Sequence, residues 1–407
     1  MFLLFLISFC LVLHTLLPIS ATSSEDVSAL AKKIFITGDY YAAGALYKKY
    51  AKEYPADAAI YLYNYAVCLE NVGHFAGAHE IFMMLQKQYP FNTQIKDHLI
   101  IDAASHGDWQ LLKEYGMTPY WWYNFPIDGK RVLIKFNGGV GDVVHFLRYA
   151  KHLHNAGAYV IHEAHPACIP LLKLCPYIDE IVPLEQQVIY DYAYPIAIAE
   201  LALTMADILT HGSTDIPYLY ADPTLDAYWC EQLQEDSNIR VGLCWRSTEV
   251  HDITTGATVP NSRSVPLKTF ERLGTVPHCS FYSLQFGKGT EEIADTILVL
   301  GHYPALDTIH GRFMDTLAII KNLDLVITAD TSIAHIAGAL GVPVWVLIPV
   351  SSNFRWFHER MDTPWYPTMR LFRQRKIYEW DPIMEKVATA LAEFVQKRRT
   401  EISVLAF

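Results

Sequence analysis

Two segments of this sequence pass from a short apolar run, through a turn ending in an aspartate, into a run of helical periodicity. The first is Arg131-Val132-Leu133-Ile134-Lys135-Phe136, then Asn137-Gly138-Gly139-Val140-Gly141-Asp142, then a helix expected over Val143–His154. The second is Leu325–Ala329, then Asp330, then a helix expected over Thr331–Leu340. Near-continuous apolar strands feeding helices require a parallel sheet covered on both faces. Further β-rich runs at Tyr159–His162, Glu180–Val182, Asp191–Pro195, Ile239–Trp245, Phe281–Gln285 and Val344–Ile348, with a helix over Arg312–Asn322, extend the pattern. The fold class is therefore α/β, with two doubly wound domains at residues 130–225 and 238–377. A closing amphipathic helix, residues 381–400, carries Ile383, Val387 and Leu391 on one face.

Open parallel sheets bind ligands beyond the carboxyl ends of their strands. Asp142 and Asp330 both stand there, one in each domain. Each also opens a helix, and an aspartate at the N-cap stabilises its helix by about 1 kcal/mol without any further role. His145, three residues after Asp142, reads as an exposed histidine. Tyr218 and Tyr220 read as core or interdomain packing.

Upstream, Gly38-Asp39-Tyr40 recurs as Gly73-His74-Phe75 and Gly107-Asp108-Trp109, and Ala43/Ala78, Tyr47/Phe82 and Pro55/Pro90 keep the same period. A small residue lets two helices approach, an aromatic wedges between them, and proline ends the second. This region, residues 25–117, resembles a tetratricopeptide array, whose period is about 34 residues. The resemblance implies a protein partner for the repeats, or an array that only shields the next domain. Residues 118–126, rich in Trp, Tyr and Pro, read as an extended segment pinned onto that domain.

Composition narrows the classes. With 43 acidic against 32 basic side chains and no basic run, nucleic acid is not the expected partner. Residues 1–21 are almost wholly apolar and are followed by small residues, which reads as a signal peptide or a membrane anchor, so the chain is expected to be membrane-associated or exported. Cys68, Cys168, Cys175 and Cys244 sit in core patterns without metal-ligand spacing and read as structural thiols.

The stretch Lys130–His145 resembles the opening of the lipopolysaccharide heptosyltransferases of glycosyltransferase family 9, and Asp330–Val344 is similar to their second signature. Asn261–Leu267 and Trp365–Arg373 resemble bacterial proteins that fuse such a module to tetratricopeptide repeats. The resemblance implies a GT-B-like pair of Rossmann-type domains and an inverting transfer from a nucleoside-diphosphate sugar to a glycan, lipopolysaccharide or protein acceptor. It also implies that Asp142 is the base that takes the acceptor proton. Donor-binding candidates are Gly139, Gly141, Arg246, Arg263, Asp330, Thr331, Ser332 and His335, with Lys135 near them; Arg263 or Lys268 would stand in for the family's lysine. No carboxylate triplet suited to a metal is present, so the expected chemistry uses no metal and no cofactor beyond the nucleotide sugar. The polar loop Ser247–Pro260 reads as a lid or as an ornament. Two alternatives belong to other classes: a repeat scaffold with an inactive transferase module, and a nucleotide-sugar epimerase of the same architecture.

Overall fold

The computed structural model describes residues 25–114, 126–136, 138–184, 194–197, 216–247, 250–251, 258–259 and 263–405. Residues 1–21, expected to be a signal peptide or anchor, and residues 118–125 of the aromatic segment lie outside the described residues. Among the described residues, no helix is long and apolar enough to cross a membrane.

The chain begins as antiparallel helices: α1 (Glu25–Ile36), α2 (Tyr40–Glu53), α3 (Ala58–Asn71), α4 (Phe75–Gln88), α5 (Thr93–His106) and α6 (Trp109–Glu114). The repeated glycines explain the turns. Gly38, Gly73 and Gly107 have φ of 86°, 80° and 71°, the left-handed conformation that ends a helix at little cost only for glycine. The repeated positions Ala43, Tyr47, Ala78 and Phe82 form one core with Phe35, Tyr61, Tyr63 and Leu99.

Two parallel sheets follow. The first is ordered β3-β2-β1-β4, with β1 (Arg131–Lys135), β2 (Tyr159–Ala164), β3 (Glu180–Pro183) and β4 (Tyr194–Ala197). Helix α7 (Val140–Asn155) follows β1, and the short α8 (Ile169–Leu172) follows β2. Helix α9 (Pro223–Leu233) then leads to the second sheet, ordered β12-β11-β10-β5-β8-β9. Its strands are β5 (Ile239–Cys244), β8 (Cys279–Ser283), β9 (Leu300–Gly301), β10 (Leu325–Ala329), β11 (Val344–Ile348) and β12 (Met369–Arg373). Between them run α10 (Leu267–Phe270), α11 (Met314–Lys321) and α12 (Ser332–Leu340), and α13 (Asp381–Leu405) closes the chain. The described part of the Ser247–Pro260 loop is a small antiparallel ladder of β6 (Val250–His251) and β7 (Thr258–Val259).

In the first sheet the strand order reverses at β1, and in the second it reverses between β5 and β10. The loops after these strands therefore open at the switch points where α/β sheets place ligands. Helix α7 packs against α12, and the strap between β11 and β12 (residues 349–368) folds over their ends. Arg373, at the end of β12, holds the strap by donating to the carbonyl oxygens of Arg360 and Trp356. Gly73 of the helical array comes so close to Val350 of the strap that no side chain would fit.

Candidate active site

Helix α7 starts three residues earlier than expected, and its N-cap is Gly139, not Asp142. Asp142 is the third helical residue, and its Oδ2 accepts the Gly139 N–H at 2.6 Å. Its other oxygen, Oδ1, pairs with the guanidinium of Arg355, which reaches across from the strap. Arg355 is 7% exposed; it also donates from Nη1 to Asn353 Oδ1 (2.8 Å) and lies over the ring of Phe146. The N-cap reading of Asp142 is thus corrected: the carboxylate joins the two domains. Sequence reasoning missed Arg355 because the strap has no periodicity and its partner is 213 residues away.

Asp330 is not a cap either. Thr331 caps α12, its Oγ1 accepting the Ile333 N–H at 3.2 Å, and Asp330 sits one residue before it, 6% exposed. Burial raises the Asp330 carboxyl above its usual range, while the nearby Arg263, the Trp356 indole and Arg355 pull the other way and Asp142 adds to the rise. So Asp142, Asp330, Arg263 and Arg355 form one electrostatic group at the ends of β1 and β10. Ser332 opens α12 beside them, half-buried. Arg246 stands apart at the end of β5, where its Nε pairs with Glu292 and its N–H donates to Gln285 Oε1 at 2.9 Å.

Gly141 meets the other domain directly. A Cβ placed on it would stand 3.2 Å from His335 Cδ2, so glycine lets α7 and α12 touch at this point. The structure places His335 in packing rather than at an exposed anion site: it is 5% exposed, stacked on Trp356, with Nδ1 3.0 Å from Tyr366 Oη. His145, expected to be exposed, is fully buried, with Nδ1 3.3 Å from the same Oη and its ring edge-on to His335. The reason is that α7 is covered on two sides, by its own sheet and by α12. Burial and the nearby guanidinium groups of Arg148 and Arg355 hold both imidazoles well below their usual range, so both are neutral.

Behind them, Arg148 donates from Nη2 to Tyr218 Oη (3.0 Å) and from Nη1 to the Trp365 carbonyl (2.7 Å). Tyr218 Oη is 3.1 Å from Tyr366 Oη. This buried network, Arg148–Tyr218–Tyr366–His335, ties both domains beneath the cleft. Cys244, at the end of β5, is also buried, with Sγ 3.4 Å from Gln285 Oε1.

No family model matches this chain. Protein FlbA of Caulobacter vibrioides is 32% identical over 182 residues, covering 44% of this chain and 29% of that protein. The chain thus matches less than a third of that relative's length. Among solved structures, a glycosyl transferase family 9 protein from Veillonella parvula superposes with a TM-score of 0.50 at 13% identity, over 67% of this chain and 99% of the other. The E. coli ADP-heptose lps heptosyltransferase II gives 0.46 at 14% identity, over 66% and 99%. The first of these supports the fold: mixed α/β with parallel sheets, like a family 9 glycosyl transferase.

Proposed function

We propose that this chain is a GT-B-like glycosyltransferase that moves a sugar from a nucleoside-diphosphate donor to a glycan, lipopolysaccharide or protein acceptor, without a metal. The observation that carries the reading is the pairing of acidic and basic groups across two switch points. Asp142 enters from the first sheet, and Asp330, Arg263 and Arg355 enter from the second. A nucleoside diphosphate suits the guanidinium groups and the start of α12 at Thr331–Ser332, since helix N-termini and arginines both favour phosphate. Asp142 on the facing helix is then the base for the acceptor hydroxyl. The likeness to the Veillonella parvula protein supports this reading at the level of fold.

The helical array is proposed to be tetratricopeptide-like, and its α2–α3 face, lined by Tyr41, Gly44, Lys48, Tyr65 and Leu69, is where a protein partner would dock. Residues 1–21 would hold the enzyme at a membrane. One observation favours the inactive-scaffold reading: Arg355 already occupies Asp142, and a carboxylate engaged by a buried guanidinium is a poor base. Incubation with a panel of nucleoside-diphosphate sugars and candidate acceptors separates the two. Acceptor-dependent release of nucleoside diphosphate supports transfer, and the absence of donor binding in calorimetry supports the scaffold.

A further inference from the structure

A second polar cluster lies away from the cleft, where the helical array meets the strap. Asp102 and His106 are one turn apart on α5, so both point from the same face of the helix. His358 comes from the strap, 256 residues later, and stacks on Phe75 at the start of α4 with ring centroids 3.8 Å apart. A nitrogen of each imidazole and a carboxylate oxygen of Asp102 all lie within 4.8 Å of one another. His106 Nδ1 is 3.4 Å and His358 Nε2 is 3.8 Å from Asp102 Oδ1. Ligand atoms around a tetrahedral zinc ion with its usual bond lengths stand about 3.3 Å apart, so three groups that lie within 4.8 Å of one another need to close by at most about 1.5 Å.

Two details separate this cluster from an ordinary surface group. The His358 side chain is 9% exposed, yet neither of its ring nitrogens has a hydrogen-bond partner. A bound cation would take up one of these nitrogens and so recover part of the free energy that leaving them unsatisfied costs. The other Asp102 oxygen, Oδ2, is engaged by His79 Nδ1 at 2.7 Å, the kind of outer contact that orients a ligating carboxylate.

We infer that Asp102, His106 and His358 form a binding site for a divalent transition-metal ion, zinc by its donor set, with His79 orienting the carboxylate. Two imidazoles and one carboxylate suit zinc, and the exposed side of His106 leaves a fourth position to water. The ion would fasten the helical array to the strap. Because His358 follows Arg355 by three residues, the same fastening sets where Arg355 meets Asp142. The site does not depend on which reaction, if any, the cleft performs.

The test is calorimetric titration of zinc chloride into the full-length, chelator-treated protein. The expected result is one site per chain, with affinity lowered at least about 10-fold in His358→Gln and in His106→Ala. His106 is 55% exposed on its side chain, so its removal leaves the core intact and covers the case in which His358→Gln folds poorly. The exposed His302→Ala is the control and should bind as the unaltered chain does. Cobalt in place of zinc should give visible absorption bands of a tetrahedral site, lost in both variants. Absence of binding, or equal affinity in His106→Ala and the unaltered chain, overturns the inference and leaves a hydrogen-bonded His–Asp contact.

Discussion

Asp142 and Arg355 pair across the two sheets, one from the first turn of α7 and the other from the strap after β11, with Arg355 almost wholly buried. The pair has a consequence for the standard test of a catalytic carboxylate. An aspartate that only capped a helix would tolerate asparagine, which caps about as well. Here Asp142→Asn removes the counter-charge of a buried guanidinium while keeping one acceptor for the Gly139 N–H.

Asp142→Asn should therefore lower stability by about 1–3 kcal/mol, the scale of a part-buried charged hydrogen bond lost. If Asp142 is the base, turnover with the correct donor and acceptor should also fall by roughly 10²- to 10⁴-fold. Urea unfolding and turnover on this one variant read the two effects separately. Unchanged turnover would remove Asp142 from the mechanism, and unchanged stability would show that the pair contributes little.

Arg263→Ala tests the donor side. Arg263 acts on Asp330 at the start of α12 and belongs to no strand or helix, so its loss should leave the fold intact. A charge-assisted phosphate contact is worth about 1.5–3 kcal/mol, so nucleoside-diphosphate affinity should drop by about 10- to 100-fold. Calorimetry against the cognate diphosphate checks it; an unchanged affinity places the phosphates elsewhere.

Acid should act on the packing between the domains. His145 and His335 are neutral in the folded state, held down by burial and by Arg148 and Arg355, while the unfolded chain titrates near 6.5. A depressed histidine pKa means the unfolded chain binds the extra protons. Stability is then fully present above about pH 6.5 and falls as pH drops below it. The limiting slope is about 1.4 kcal/mol per pH unit for each histidine. Urea midpoints at pH 7 and pH 5 would show the loss, and imidazole nitrogen NMR should find both rings neutral at about pH 5.5. Protonated signals for either ring in the folded protein would refute the account.

Asp97 on α5 should behave oppositely. Burial raises its carboxyl to about 7, above the normal 3.8, and its Oδ1 is buried without a hydrogen-bond partner. The folded chain therefore holds a proton there that the unfolded chain has lost. Its contribution is full below about pH 3.8 and is lost as pH rises through 7. Asp97→Asn should raise the melting temperature at pH 8 and have little effect near pH 4. No gain at pH 8 would mean that the carboxylate is already satisfied when charged.

The strands were the most legible part of the molecule. Val132–Ile134 and Leu325–Ala329 are apolar because both faces of their sheets are covered, and that leaves a continuous signal. The repeated glycines were legible as well, because left-handed turns admit few other residues. Strand β9 was not, since two residues carry no pattern, and β12 was obscured by Arg370 and Arg373. In the cleft, Asp142, Asp330 and Arg263 were named from sequence and do meet. Arg355 was invisible because its role depends on a contact between distant segments. The same holds for His145: three residues past Asp142 it looked like a solvated helix face, and only the second domain buries it. The caps were misread because Gly139 and Thr331, one small and one unremarkable in sequence, take the places that the aspartates were expected to fill.

Tyr366 concentrates the interdomain contacts in one hydroxyl. Its Oη stands 3.1 Å from Tyr218 Oη, 3.0 Å from His335 Nδ1 and 3.3 Å from His145 Nδ1. Burial pushes this phenol well above its ordinary range, so the hydroxyl keeps its proton and can donate to one imidazole while accepting from Tyr218. Tyr366→Phe preserves the ring, which packs so closely on Gly338 that a Cβ added there would clash with it. The change therefore isolates the hydroxyl. It leaves buried polar partners on both domains short of a contact, and each such group costs about 1–3 kcal/mol when unsatisfied. Stability should fall by about that amount for one to two groups at pH 7. The further acid loss described for His145 and His335 should be smaller, since an imidazole without its hydroxyl partner takes a proton more readily in the folded state and so differs less from the unfolded chain. Urea unfolding of Tyr366→Phe at pH 7 and pH 5 measures both. A variant as stable as the unaltered chain at both values would show that the histidines are held by packing against Trp356 and Trp365 alone.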